Sequence, residues 1–234
     1  MQNIKEGGKV SKEIELSQEV KSRLKPISKS GLKLRPIPRV SKALIIALDV
    51  SYSMSLNMPE GHSKLHSAWI AFKNVLTKHL MGWNLGIIAF GVNEAEGVEW
   101  LLPPTSRADF DHVKEPEPQD GTPMLKALRE SWSWLEKRAE GGRIILITDG
   151  IPTDCHPDEI LSEAPQHHIP IDCIGCGSPG FGEYDPVFLR KLSESTSGIF
   201  CEVRNAESLT KTILELSPAR RSLLGSPRGQ PGEA

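Results

Sequence analysis

Three short motifs concentrate oxygen chemistry along this chain: Asp49-Val50-Ser51-Tyr52-Ser53, Asp120-Gly121-Thr122-Pro123 and Thr148-Asp149-Gly150. Asp49, Ser51, Ser53, Thr122 and Asp149 supply two carboxylates and three hydroxyls, with no His or Cys among them. All five are hard oxygen donors, a set that suits Mg²⁺ or Mn²⁺ rather than Zn²⁺ or copper. Magnesium takes about six oxygens in near-octahedral geometry and keeps waters readily. With few charged ligands the ion stays electrophilic enough to attract a carboxylate from outside. Each motif alone is weak, because Asp and Ser are ordinary turn and cap residues. Their weight depends on the elements that present them.

Those elements alternate. Residues 43–48 (ALIIAL) form a short apolar run ending at Asp49, the pattern of a strand buried on both faces. Leu65, Trp69, Phe72, Leu76 and Leu80 repeat at helical spacing over 64–80. Strand 85–90 follows, then a short hairpin partner over 98–102 before Pro103-Pro104. Pro123 opens a helix carrying Met124, Leu128, Trp132 and Leu135, which ends near Gly141-Gly142. Strand 143–148 stops at Asp149-Gly150, and strand 169–174 is bounded by Gly175 and Gly177. Helices over 186–194 and 206–216 flank a last strand at 199–203. The alternation predicts an α/β fold with a mostly parallel, doubly wound sheet covered on both faces. In such sheets ligands gather beyond the carboxyl ends of the strands, where the strand order switches. The three motifs fall at strand ends or a helix start, on one edge of one sheet.

D-x-S-x-S after the first strand, a distant threonine after glycine, and T-D-G after a later strand resemble the metal-ion-dependent adhesion site of von Willebrand factor A domains. The resemblance spans residues 43–217 and is closest to the compact intracellular, prokaryotic type. It implies a Rossmann-like sheet of about six strands with one short antiparallel edge strand, for which 98–102 is the candidate. It also implies that Ser51, Ser53 and Thr122 ligate the ion directly. Asp49 and Asp149 then act mostly through waters, and a partner's Asp or Glu completes the coordination. Two positions depart from the family pattern: Tyr52 and Asp120 stand where many relatives have glycine. Tyr52, Met54 and Asp120 form the expected partner-binding rim, with Met58 nearby and Met124 assigned to the core stripe.

Composition sets the outer bounds. The 234 residues are 38% hydrophobic and 25% charged, enough apolar material for one large domain with extensions. The net charge of -2 hides a segregation. Residues 1–42 carry +7, the body 43–217 carries -11, and the tail 218–234 carries +2. Two readings of the arm stand: extended segments along the body, or a solvated basic extension. The tail, rich in Pro, Gly and Ser, reads as disordered. No apolar run suits a signal-peptide core or the roughly 20 residues of a membrane helix. Four cysteines make no disulfide framework, so a cytoplasmic location with reduced thiols is expected. Cys173-Ile174-Gly175-Cys176 invites a zinc reading, but it lacks a second well-spaced pair.

These features predict a non-enzymatic, cation-dependent module that binds a protein through an acidic residue, inside a larger complex. Tellurite-resistance and chelatase or ATPase assembly accessories are the systems that the resemblance suggests. No G-x-S-x-G turn, no Walker loop, and no G-x-G-x-x-G opening a helix argues for catalysis. A metal-dependent phosphatase is the rival, because aspartate after a first strand and a later T-D-G also serve haloacid-dehalogenase-type enzymes. Those need a second aspartate two positions on as general acid, and that position here is Ser51. A third reading makes the basic arm a tether to nucleic acid or an acidic surface, although it lacks interleaved aromatics. The oligomeric state is not legible.

Overall fold

A computed structural model describes residues 40–79, 83–92, 97–105, 112–177 and 184–216. Nearly all of the basic arm, the whole tail 218–234, Leu80 and Phe181-Gly182-Glu183 therefore lie outside the described residues. Within them the strands are β1 (Ala43–Asp49), β2 (Asn84–Phe90), β3 (Val98–Thr105), β4 (Gly142–Thr148), β5 (Ile171–Cys176) and β6 (Phe200–Val203). The helices are α1 (Lys64–His79), α2 (Met124–Arg138), α3 (Pro157–Glu163), α4 (Pro186–Ser195) and α5 (Ala206–Leu216).

The strands form one sheet in the order β3-β2-β1-β4-β5-β6. Every pairing is parallel except β2 with β3, so the expected antiparallel edge strand is present. The chain moves outward from β1 to β3, then crosses back to lay β4 on the other side of β1. The switch in strand order thus falls between β1 and β4, the place where Asp49 and Asp149 emerge.

Burial on both faces explains the apolar runs. Leu44, Ile46 and Leu48 of β1 point to one core with Trp69 and Phe72 of α1 and Leu209 and Ile213 of α5. Ala43, Ile45 and Ala47 point to the other, with Leu128 and Trp132 of α2 and Leu192 of α4. The same alternation disposes of the C-x-x-C reading. Cys173 and Cys176 are three apart on β5 and enter opposite cores, so they cannot share an ion.

Three elements differ locally from the sequence reading. β3 continues through Pro103-Pro104 because an edge strand can leave an N–H side unpaired, and its pairing with β2 is irregular there. Gly86 of β2 permits the approach, since a Cβ there would lie 2.5 Å from Pro104 Cγ. β5 begins two residues later than 169 and runs through Gly175, against which the buried Tyr184 ring packs. Helix α3 was not anticipated. It is capped by His156, whose Nδ1 accepts the Asp158 N–H while Glu159 accepts the His156 N–H.

At the amino end of the sheet, Arg143 donates to both oxygens of the fully buried Asp172 at 2.7 Å. Asp172 also accepts the Ile199 N–H at 2.9 Å, which ties β4, β5 and the start of β6 together. Asp172→Ala leaves Arg143 half-buried without its counter-charge. A stability loss of about 3–5 kcal/mol is expected in urea denaturation, and a loss under 1 kcal/mol would show that the clamp is dispensable.

Candidate functional site

Asp49 closes β1 and exposes no surface, because the strand that carries it is covered on both faces. Its two oxygens are both taken: Oδ1 accepts the Ser51 N–H at 2.8 Å, and Oδ2 accepts the Thr148 hydroxyl at 2.5 Å. Asp149, equally buried, follows β4 on the neighbouring strand. Its Oδ1 accepts the Ser53 hydroxyl at 2.7 Å, and its Oδ2 accepts Lys64 Nζ at 2.7 Å.

Hydrogen accounting then constrains the hydroxyls. Ser53 has one hydroxyl proton and gives it to Asp149, so toward the Ser51 oxygen, 3.0 Å away, it can only accept, and the single Ser51 proton serves Ser53 or Asp49. The carboxylates pull hydroxyl protons inward and leave Ser53 lone pairs for another electrophile.

Thr122 arrives from a third direction and is nearly buried. Its N–H donates to Thr153 Oγ1 at 2.8 Å, and the Thr153 N–H donates to the Thr122 carbonyl at 3.0 Å. Asp154 next door accepts the Leu125 and Lys126 N–H groups at 3.3 and 2.8 Å, capping α2 from outside the helix. Glycines allow the three loops to converge. Gly91, at φ +79°, would place a Cβ 2.6 Å from the Gly121 carbonyl, and Gly121 itself sits at φ +89°. At Gly150 a Cβ would lie 3.0 Å from Thr122 Oγ1 and 3.4 Å from Asp49 Oδ2. Only a glycine lets Thr122 and Asp49 crowd so close to this loop, and the carboxylate and hydroxyl set gathered here is of the kind that fits a small hard cation.

The structure therefore brings together Asp49, Ser51, Ser53, Thr122 and Asp149, each where the sequence reading put it. Of the expected rim, Tyr52 is 66% exposed and Asp120 is exposed. Met54 is a correction. The short 3₁₀ turn at Tyr52–Ser55 turns Tyr52 outward and Met54 inward, so Met54 is fully buried beside α1 and cannot touch a partner. Met58 is buried too. Exposed Leu56 and Ile151 flank the loops instead. Sequence reasoning also missed Lys64, Thr153 and Asp154. For the last two a signal existed in the polar run Thr153-Asp154 after T-D-G; for Lys64 there was none.

A sequence profile of the von Willebrand factor type A domain matches residues 42–201. The chain belongs to the von Willebrand factor type A domain family. A search of curated proteins found no match. Among solved structures, the chain resembles the ArnB paralog VWA2 from Sulfolobus acidocaldarius, with a TM-score of 0.62 at 20% identity. That match covers 78% of this chain but only 46% of the other, so the chain spans less than half of that protein's length. BatB from Bacteroides thetaiotaomicron matches with a TM-score of 0.58 at 22% identity, over 75% of this chain and 96% of its own. A von Willebrand factor type A protein from Catenulispora acidiphila matches at 0.55 and 21%, over 76% and 42%. At these identities the likeness establishes the fold.

Von Willebrand factor A domains are in general protein-interaction modules, and among the described residues no helix is long and apolar enough to cross a membrane. The most perturbed acid of the site is the Asp49 carboxyl. Burial, and then the charge of Asp149, raise it from 3.8 to about 7, against the opposing hydrogen bonds from Thr148 and Ser51.

Between pH about 4 and about 7 the folded state keeps a proton on Asp49 that the unfolded chain has released. Stability from this group is thus present at the acid end and lost as pH rises through that window. In chelator, Asp49→Asn gains on the parent by up to about 4 kcal/mol from pH 4 to pH 7.5, read by denaturant melts. A gap that stays constant with pH would contradict the burial argument. Gly91→Ala separately costs about 1–3 kcal/mol in the same melts, because its φ is strained and its Cβ meets the Gly121 carbonyl.

Proposed function

We propose that this domain is a divalent-cation-dependent protein-interaction module, with Mg²⁺ or Mn²⁺ at the Asp49–Asp149 site and an acidic side chain of a protein partner as its ligand. Ser51, Ser53 and Thr122 hold the ion through their hydroxyl oxygens. Asp49 and Asp149 orient those hydroxyls and the waters between them. The observation that carries this reading is the pair of fully buried carboxylates at adjacent strand ends, with a hydroxyl drawn to each. Bound there, the ion supplies a Lewis-acidic positive charge that a carboxylate from outside can meet.

The chain's own residues shape the approach. Exposed Tyr52, Leu56 and Ile151 offer apolar contact around a polar centre, and exposed Asp120 discourages partners that bring more than one acid to that side. We read the module as non-enzymatic, because Ser51 stands where a phosphatase of the rival class needs its general acid. The setting we favour is a cytoplasmic accessory role within a larger complex of the tellurite-resistance-like or ATPase/chelatase-associated kind.

Calorimetric titration with Mg²⁺ and Mn²⁺ tests the site. The parent takes up one ion saturably and Asp49→Ala does not. Equal uptake by the two proteins would place the ion elsewhere and end this reading.

A further inference from the structure

Lys64 is the first residue of α1, and at 3% exposure it is a buried cation beside a site that has been read as holding a metal. A lysine at a helix start ordinarily extends into water, and burying its ammonium is costly unless it is paired. Its Nζ lies 2.7 Å from Asp149 Oδ2, with side-chain exposures of 4% and 0%. The backbone that presents it is fixed on several sides. The Lys64 N–H donates to the Leu56 carbonyl at 3.0 Å, and Asn57 and Ser63 form an antiparallel bridge just before it. Ser63 Oγ accepts the His66 N–H at 3.0 Å, and His66 Nδ1 meets Glu115 Oε2 at 2.9 Å on the segment that leads to Thr122. The ammonium is therefore delivered to Asp149 by a braced turn.

Charge follows from that placement. Asp49 and Asp149 together carry two negative charges when ionised, and a divalent cation alone would cancel them completely. An ammonium on one of the two leaves a single negative charge for the ion to meet. The filled site then keeps one positive charge in excess, which favours a single carboxylate from outside. The geometry adds a second effect. With Oδ1 engaged by Ser53 and Oδ2 by Lys64, Asp149 has no oxygen without a donor to offer an ion directly.

We propose that Lys64 is a positioning residue of this site: its ammonium withholds Asp149 Oδ2 from the ion and cancels one carboxylate charge, trading cation affinity for attraction to an acidic ligand. This inference rests on the cation reading above. Removing the ammonium brings Asp149 into play as a full-charge ligand, so the variant binds the ion more tightly. Damage to a merely structural contact would do the opposite.

The test is Mg²⁺ titration, by calorimetry and by melting temperature in chelator and in excess Mg²⁺, on the parent, Lys64→Gln, Lys64→Met, Lys64→Arg and Asp49→Ala. Lys64→Gln and Lys64→Met are expected to bind Mg²⁺ at least about tenfold more tightly than the parent, since a unit charge a few ångströms away acts strongly at low effective dielectric. Both also gain more in melting temperature from Mg²⁺ than the parent does. Lys64→Arg keeps the charge and stays within about threefold of the parent. If Lys64→Met does not fold in chelator, Lys64→Gln, which can still donate to Asp149, decides. Lys64→Gln binding Mg²⁺ no more tightly than the parent, while Asp49→Ala loses it, overturns the role of Lys64 and leaves the site reading intact. Failure of the parent itself to take up Mg²⁺ overturns both.

Discussion

Two carboxylates lie side by side, without solvent, at the ends of adjacent parallel strands, and the rest of the molecule is organised around that constraint. Removing each from water is costly, and their mutual repulsion adds to the cost. The raised pKa of Asp49 records both effects. Four donors from three segments offset them: the Ser51 N–H, the Thr148 and Ser53 hydroxyls, and the Lys64 ammonium. Those donors must come within hydrogen-bonding distance at once, so the three motif loops have to converge. Gly91, Gly121 and Gly150 meet that requirement, two by adopting positive φ and two by leaving no Cβ between the loops. The sheet order meets it at longer range, because the crossover from β3 to β4 makes β1 and β4 neighbours although nearly a hundred residues separate them.

The opposite end of the sheet shows what a carboxylate buried for stability looks like in this fold. Asp172 is as buried as Asp149, but a guanidinium engages both its oxygens and a backbone N–H donates to it as well. Arg143 and Asp172 together are neutral, and the cluster links strands without leaving a charge over. At the carboxyl ends of β1 and β4, one ammonium among the described residues faces two carboxylates. The imbalance is local and geometric, and it does not follow from the acidic excess of the whole body. Among the described residues, most of the body's other acids are exposed, on helices, loops and strands alike, where they serve solubility more than binding.

What the sequence made legible, and what it hid, divides along the same physical line. Strand ends are marked by abrupt changes from apolar to polar residues, so Asp49 and Thr148-Asp149 could be placed from one dimension. Thr122 followed from a helix start after Gly121. Both strand burial and helix faces are periodic signals, and β1, β2, β4 and the helices α1, α2, α4 and α5 came out within about two residues. Lys64 was hidden because its pairing joins residues 85 positions apart, and a lysine in a first helical turn carries no local sign of burial. Met54 was hidden because a loop position suggests exposure, whereas a 3₁₀ turn, at about three residues per turn, turns one of its side chains into the core. Helix α3 is only 7 residues long and is capped by a histidine, a residue outside the usual capping set. The basic arm, with its +7, falls almost wholly outside the described residues, and its charge is still the strongest feature that the site does not absorb.

The rim completes the argument about what the site can recognise. Six large apolar side chains stand exposed among the described residues, and Tyr52, Leu56 and Ile151 belong to the loops that follow β1 and β4. Apolar groups scattered singly over a surface need no explanation, but a group of three around one polar centre does. On the proposed reading the two kinds of contact divide the work. A carboxylate reaching the ion fixes where a partner binds, and it contributes little unless water is kept away from it. Apolar neighbours keep water away and supply the contact area from which affinity comes. Met54 and Met58, turned inward, brace the loop from beneath, so the rim is a shaped surface resting on the same core that holds the two aspartates in place.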